Sequence, residues 1–117
     1  MAAADYDLLI EQGATFDLSI VWKDNAGTPI DITGYSARMQ IRKTYDSAPV
    51  ISLTSAVGGG IVLGGVDGTI DITISANTTD DITILRGRYD LELELAGVVT
   101  RLIQGSVDIS REVTKNA

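Results

Sequence analysis

The chain has 117 residues, lacks cysteine and histidine, and carries 16 acidic against 9 basic residues, a formal net charge of −7. The missing residue types exclude disulfides, zinc–thiolate sites, cysteine nucleophiles and histidine bases. The acidity argues against nucleic acid and anionic membranes as partners, because both bind basic surfaces.

The length fits one domain, which we place at residues 1–117 with a polar tail at 111–117. The N-terminus has neither the basic region nor the apolar region of a secretory signal. No apolar run approaches the ~20 residues that cross a bilayer. We therefore expect a protein made in the cytoplasm, with no membrane partner.

The first part of the chain alternates apolar and polar residues. Tyr6 to Ile10 is predicted to be a short strand, broken by Gln12-Gly13. The next strand, Thr15 to Lys23, places four large apolar side chains on one face: Phe16, Leu18, Ile20 and Trp22. Because the chain's only Phe and only Trp lie there, we predict that this strand marks the centre of the core, and that Trp22→Ala costs about 3–5 kcal/mol.

Turn residues separate several further strands. Asp24 to Gly27 predicts a turn, and Pro29 predicts an edge segment because proline cannot donate a hydrogen bond to a sheet. Ser36 to Arg42 alternates again, and Val50 to Thr54 predicts another short strand. Asp67-Gly68 predicts a two-residue hairpin turn ahead of the clearest alternation in the chain, Thr69 to Ser75.

The last third predicts one short helix and two long strands. Ser75 or Thr78 is a candidate N-cap, with Asp80-Asp81 expected in the first helical turn. Arg88 to Leu95 and Val99 to Ser110 are predicted strands. In the second of them the alternation shifts near Gln104-Gly105, which predicts a β-bulge or a close backbone approach at that glycine.

Seven to nine short strands with regular turns predict an all-β protein, an antiparallel immunoglobulin-like β-sandwich with one short helix. The inward positions define the predicted core. It comprises Phe16, Leu18, Ile20, Trp22, Met39, Ile41, Ile70, Ile72, Ile74, Tyr89, Leu91 and Leu93.

The sequence offers little catalytic chemistry. The glycine-rich stretch 58–68 lacks the Gly-Lys-Ser/Thr ending of a phosphate loop, and the aspartates lack the spacing of an EF-hand calcium site. Glu92 and Glu94 share a strand face with Arg88 and Asp90, which is typical of a solvated surface rather than a glycosidase pair. Without histidine a Ser-His-Asp triad cannot form. We expect no enzyme activity, no metal site and no cofactor.

Arginine supplies most of the basic groups, and it often makes bidentate contacts with carboxylates at interfaces. Arg38 and Arg42 share the outer face of one strand. Two interpretations remain open, cross-strand pairing with Asp90, Glu92 or Glu94, and docking of another subunit. The candidate interface residues are Arg38, Arg42, Pro29 and Tyr45.

The order of motifs resembles that of small virion-associated proteins of tailed bacteriophages and prophages. The shared elements are Glu11-Gln12-Gly13, the strand to Trp22, a Gly-x-Pro-Ile-Asp-Ile-Thr-Gly-Tyr turn from Gly27 to Tyr35, and an Ala-x-Met-x-Ile-Arg strand from Ala37 to Arg42. Tyr89 to Leu93 and Arg101 to Val107 continue the resemblance, which covers most of the chain. It is similar to the N-terminal β-sandwich domains that anchor receptor-binding fibres to phage baseplates.

The resemblance implies a non-enzymatic structural protein located in the virion. Its expected partners are other virion proteins of the tail, collar, portal or adaptor, or fibre, in a symmetric oligomeric assembly without nucleic acid. The sequence stops at Ala117 with no receptor-binding region or coiled coil after it, and we expect a standalone connector or a tail, collar or baseplate component of the fibre-attachment type. A capsid decoration protein and a carbohydrate-binding or adhesion module, with Tyr35 and Tyr45 as candidate sugar platforms, are the alternatives.

Overall fold

The computed structural model describes residues 3–114, and within them the chain forms nine strands and one short α-helix. In chain order these are β1 (Ala4–Asp5), β2 (Leu8–Glu11), β3 (Phe16–Val21), β4 (Ser36–Arg42), β5 (Pro49–Thr54), β6 (Ile61–Leu63), β7 (Thr69–Ile74), α1 (Ala76–Asp80), β8 (Arg86–Leu95) and β9 (Val98–Ser110). None of the helical segments within residues 3–114 has the length and apolar character to cross a membrane.

The strands form two sheets. In the larger, six-stranded sheet, β9, β8, β4 and β5 lie side by side, and both β1 and β2 pair with the free edge of β9. The smaller sheet has the order β3-β7-β6. The prediction of an immunoglobulin-like β-sandwich with one short helix is confirmed. The difference is that β1 and β2 run parallel to β9, whereas all other pairings are antiparallel.

The core lies between β4, β8 and β9 of the larger sheet and β7 of the smaller one. The predicted inward residues on β4, β7 and β8 are buried: Met39, Ile41, Ile70, Ile72, Ile74, Tyr89, Leu91 and Leu93. The inward side chains of β2 join them, because Leu8 and Ile10 are buried, whereas Tyr6, predicted to share their face, is 49% exposed.

The β3 face is not the centre of the core, contrary to the sequence prediction. Its four large apolar side chains are only partly buried and pack against the core from one side: Phe16, Leu18, Ile20 and Trp22. The reason is topological, since β3 pairs only with β7 and is the edge strand of the smaller sheet. Trp22 instead contacts Tyr35 edge to face, with ring centroids 5.9 Å apart, at one end of the sandwich.

Both alternatives predicted for the last strand occur, at different residues. The bulge lies at Leu102, because Leu91 pairs with Ile103 and the next residue, Glu92, pairs with Arg101. The close backbone approach is at Gly105, where the chain at Tyr6 comes so near that a Cβ atom on residue 105 would lie 2.5 Å from the Tyr6 carbonyl oxygen. The N-terminal segment can therefore lie on β9 only because residue 105 has no side chain.

Helix α1 begins at a predicted N-cap, but its aspartates lie at the opposite end from the one predicted. Ser75 is the N-cap, and its hydroxyl accepts a hydrogen bond from the Thr78 N–H (3.3 Å). The prediction that Asp80-Asp81 lies in the first turn is wrong, because the helix is only five residues long and ends at Asp80. Both carboxylates therefore lie at the C-terminal end of the helix, where the helix dipole does not favour them.

A buried threonine anchors this helix to the turn before β3. The Thr79 side chain is fully buried, donates to the Ala14 carbonyl (2.8 Å) and accepts from the Gly13 N–H (3.1 Å). Gln12 adds a hydrogen bond to the Ile82 carbonyl (2.9 Å). The Glu11-Gln12-Gly13 motif thus acts structurally, by holding α1 against the sandwich.

The Asp67-Gly68 turn is longer than predicted. A short 3-10 turn, Gly65–Asp67, lies between β6 and β7, and the Gly64 N–H bonds the Thr69 carbonyl (2.9 Å) to close the hairpin. Gly68 has φ +67°, a left-handed conformation that glycine adopts without strain.

Candidate interaction surface

The outer face of the larger sheet carries most of the charged side chains singled out in the sequence. Alternation along β4 and β8 points every second side chain away from the core. Because β4 and β8 are antiparallel neighbours, their outward residues form cross-strand pairs: Ser36 with Glu94, Arg38 with Glu92, Gln40 with Asp90, and Arg42 with Arg88. The register therefore brings opposite charges together at one end of the strands and two arginines together at the other.

Arg38 is neutralised within its own sheet. Its Nε donates to Glu92 Oε1 (2.9 Å) and its Nη1 donates to Glu94 Oε1 (3.0 Å). These two carboxylates raise the pKa of Arg38, the hydrogen bond to Glu92 contributing most. Of the two interpretations, cross-strand pairing is correct for Arg38, and Glu92 and Glu94 both pair with it.

Arg42 behaves differently although it lies on the same strand face. Its guanidinium donates to the Ser47 carbonyl and to Gln40 Oε1 (2.7 Å), and it forms no ion pair within residues 3–114. These bonds hold the 43–48 loop against β4. Arg42 is therefore fixed in place by neutral groups and retains its full positive charge.

The same loop presents Tyr45 beside β8. The Arg88 guanidinium lies over the Tyr45 ring, 5.1 Å from the centroid, in a cation–π contact. Arg88 also forms no ion pair within the described chain. Tyr45 is 75% exposed, so the ring and the guanidinium present a joint surface to solvent.

Arg101 on β9 completes the group. Its Nε is 3.5 Å from Asp90 Oδ2, a longer separation than the 2.9 Å from Arg38 to Glu92. Burial raises the pKa of Asp90, and the neighbouring Glu92 acts in the same direction, while Arg101 only partly offsets these effects. The Asp90 carboxylate is thus loosely paired. A second carboxylate, Asp7, lies near Arg88, and its pKa is lowered by hydrogen bonds from Ser106 and, to a smaller extent, by Arg88.

These side chains line a shallow cleft of about 190 Å³. We call it the arginine cleft and define it by Gln40, Arg42, Tyr45, Arg88, Asp90, Arg101 and Gln104. It combines three arginines with a single aspartate, in a chain whose net charge is −7. The cleft is therefore a local site of positive charge with glutamine amides and a tyrosine around it, suited to binding a carboxylate.

The structure separates the four predicted interface residues. Arg42 and Tyr45 line the arginine cleft, and Arg38 lies on the same face but is paired. Pro29 bridges to Lys23 beyond the end of β3, so it belongs to the smaller sheet and not to this face. Tyr35, a candidate sugar platform, contacts Trp22 instead.

Sequence reasoning did not identify Arg88 and Arg101 as members of one site with Arg42. All three arginines lie within predicted strands, but grouping them requires the strand order β9-β8-β4. The Arg42–Arg88 pairing also depends on the register between two strands far apart in sequence. No short sequence motif encodes the strand order or the register.

No family model matches the chain, and no curated protein matches its sequence. Among solved structures, the chain is similar to an extracellular domain of the voltage-gated sodium channel β4 subunit, with a TM-score of 0.53 and 11% identity over 97% of each chain. It is also similar to the N-terminal domain of phage TP901-1 ORF48, with a TM-score of 0.50 and 11% identity over 90% of this chain and 85% of that one. At this identity the likenesses establish the fold alone.

Proposed function

We propose that the chain is a non-enzymatic structural protein of a tailed phage or prophage virion, a connector of the tail, collar or baseplate of the fibre-attachment type. It acts through protein–protein contacts made at the arginine cleft. The observation that carries the proposal is the set of three arginines, of which Arg42 and Arg88 form no ion pair within residues 3–114 and Arg101 is loosely paired with one aspartate.

The chemistry of the outer face supports a binding role. Exposed ion pairs such as Arg38 with Glu92 are satisfied on the surface and contribute little to binding. Arg42 and Arg88 form no ion pair within residues 3–114, although Arg88 acts on the Asp7 carboxylate and Arg42 on Asp90 at longer range, so both guanidinium groups can still pair with a carboxylate of another protein. Interface hot spots are enriched in arginine and tyrosine, the residue types at this cleft.

The similar structures agree with this role without specifying it. The TP901-1 ORF48 domain comes from a phage protein, and its likeness extends over most of both chains. The sodium channel β4 domain forms parallel homodimers described as explaining a role in cell–cell adhesion. This kind of sandwich is thus found in a phage protein and in a domain that contacts a second copy of itself.

The test is charge reversal at the cleft in a phage or prophage that encodes the chain. We expect Arg42→Glu combined with Arg88→Glu to reduce incorporation into particles about tenfold or more, because each reversal turns an attraction into a repulsion. Quantitative mass spectrometry of purified particles measures the incorporation. Arg42 and Arg88 are reversed instead of Arg38 because Arg38 already pairs with Glu92 and Glu94.

Arg86→Glu is the matched control, since Arg86 lies on the same sheet, is exposed and pairs with Asp108 (2.8 Å) away from the cleft. It is expected to be incorporated normally. Normal incorporation of the folded double variant would contradict the cleft as the docking site.

Immunogold labelling of purified particles tests the location. Label at the tail, collar or baseplate supports a connector, and label over the head supports a decoration protein. Particles without label or peptides contradict the virion assignment.

A glycan-binding module is the second candidate, favoured by Tyr45. This ring is 75% exposed beside a cleft of about 190 Å³. On this hypothesis, Tyr45→Ala abolishes saturable binding in a glycan array while Tyr6→Ala, at a residue 49% exposed elsewhere, does not. Absence of binding by the unaltered protein would exclude the candidate.

A further inference from the structure

The outer face of the smaller sheet has the opposite character to the arginine cleft. We define this small-sheet face by its outward residues, Asp17, Ser19, Val21, Val62, Asp71 and Thr73. It contains two aspartates and no basic residue. The nearest basic position along β3 is Lys23, which lies beyond the end of the strand in a bridge with Pro29.

Hydroxyl groups hold both carboxylates in fixed positions. Ser19 Oγ donates to Asp71 Oδ1 (2.6 Å), and Thr73 Oγ1 donates to Asp17 Oδ1 (2.9 Å), each across the β3–β7 ladder. Neither aspartate forms an ion pair within residues 3–114. Each carboxylate is thus oriented while its second oxygen and its charge remain available.

We propose that a second copy of this chain binds at the arginine cleft through its small-sheet face, with Asp17 and Asp71 meeting Arg42, Arg88 and Arg101. The two surfaces are complementary in charge, and the exposed Val21 and Val62 add apolar area beside the carboxylates. A copy is favoured over an unrelated acidic protein because this same chain supplies both halves of the contact.

The proposed contact joins two different surfaces of the chain. The two faces are on opposite sides of the sandwich, so each copy offers one donor and one acceptor surface. Such a head-to-tail contact is heterologous, and it produces either a closed ring or an open filament. It is distinct from a two-fold dimer, in which one surface meets itself.

A single contact of this kind is weak. Two strands of six residues and one of three, about 4.8 Å apart, offer roughly 240 Å² on the small-sheet face, below the area of a stable interface. The overall charge of −7 adds repulsion between copies. Association is therefore expected at high concentration, or where ring closure or attachment to other proteins adds effective concentration.

The absence of cysteine from the chain permits a direct test in the full-length protein. Thr44→Cys places a thiol at the rim of the cleft, and Val62→Cys places one on the small-sheet face, where the side chain is 66% exposed. A short bismaleimide is expected to cross-link a mixture of the two variants into a covalent dimer. Neither variant alone is expected to form dimers at more than the rate of random collision.

Charge variants establish that the contact is the proposed one. Adding Arg42→Glu and Arg88→Glu to the Thr44→Cys chain is expected to lower the dimer yield about tenfold, whereas adding Arg86→Glu leaves it unchanged. Circular dichroism confirms that each variant is folded. Equal dimer yields from mixed and single variants, or no dimer from the folded mixture at millimolar concentration, would overturn the proposal.

This inference rests on the proposed function in using the same cleft, but the two fail separately. If the Arg42→Glu, Arg88→Glu variant is lost from particles but no cross-linked dimer forms, self-association is overturned and another virion protein remains as the partner. Specific cross-linking by a chain that is absent from particles would support self-association and contradict the virion role.

Discussion

Leu91→Ala is expected to lower the free energy of unfolding by about 2–5 kcal/mol, the range for emptying a fully buried leucine site. Leu91 is 0% exposed and lies in β8 between its paired neighbours, Met39 on β4 and Ile103 on β9. Strands on both sides hold the surrounding backbone, so the cavity cannot readily collapse. Urea denaturation, with the slope checked for two-state behaviour, measures the loss.

Leu9→Ala is the matched control. It makes the same chemical change on β2 at a side chain that is 61% exposed, and we expect a change within about 0.5 kcal/mol. Trp22→Ala is a second comparison, now expected at about 3 kcal/mol or less because the ring is only partly buried. A larger loss at Trp22 than at Leu91 would restore β3 as the centre of the core.

Gly105→Ala is expected to cost about 3–5 kcal/mol, from about 1–3 for overpacking and about 1 for each of two hydrogen bonds weakened. The added Cβ would lie 2.5 Å from the Tyr6 carbonyl oxygen and 2.8 Å from Asp7 Oδ1. Both groups are fixed: the Tyr89 hydroxyl donates to the Tyr6 carbonyl, and the Ser106 N–H donates to Asp7 Oδ1 (3.0 Å).

The N-terminal strands are where this damage should appear. Burial raises the pKa of Tyr89, so its hydroxyl stays protonated and donates throughout the neutral range. Displacing Tyr6 therefore breaks the hydrogen bond from the Tyr89 hydroxyl to the Tyr6 carbonyl throughout this pH range. Hydrogen exchange is expected to accelerate at the Tyr6 and Ser106 amides.

Gly27→Ala separates this steric cost from the cost of a left-handed backbone. Gly27 has φ +83° and open space where a Cβ would lie, so its substitution is expected to cost about 1–2 kcal/mol from backbone strain alone. Gly105 does not have a left-handed φ, and its cost comes from contact with Tyr6 and Asp7. A loss at Gly105 no larger than at Gly27 would show that the N-terminal segment moves away freely.

The candidate site was less predictable than the fold. Arg42 and Tyr45 were identified from their positions on an outward face and in a polar loop. Arg38, chosen by the same reasoning, is bound by Glu92 and Glu94. The difference between the two arginines comes from which β8 residue lies opposite each of them, and strand register is a long-range property that alternation does not encode.

The sequence by itself determined the local features of this protein. Alternation with a period of two fixed which side chains of β4, β7 and β8 face inward, because successive side chains on a strand point to opposite sides. Ser75 fixed the start of α1, and Gly105 marked the close approach, because cap chemistry and side-chain volume act on immediate neighbours.

Only the tertiary structure decided the rest. It placed β3 at a sheet edge, so that the largest apolar side chains are half-buried rather than central. It laid β1 and β2 parallel to β9, and it gathered Arg42, Arg88 and Arg101 from three strands into one cleft. The physical reason is that strand order and register minimise the free energy of the whole sandwich, through contacts between segments that are distant along the chain.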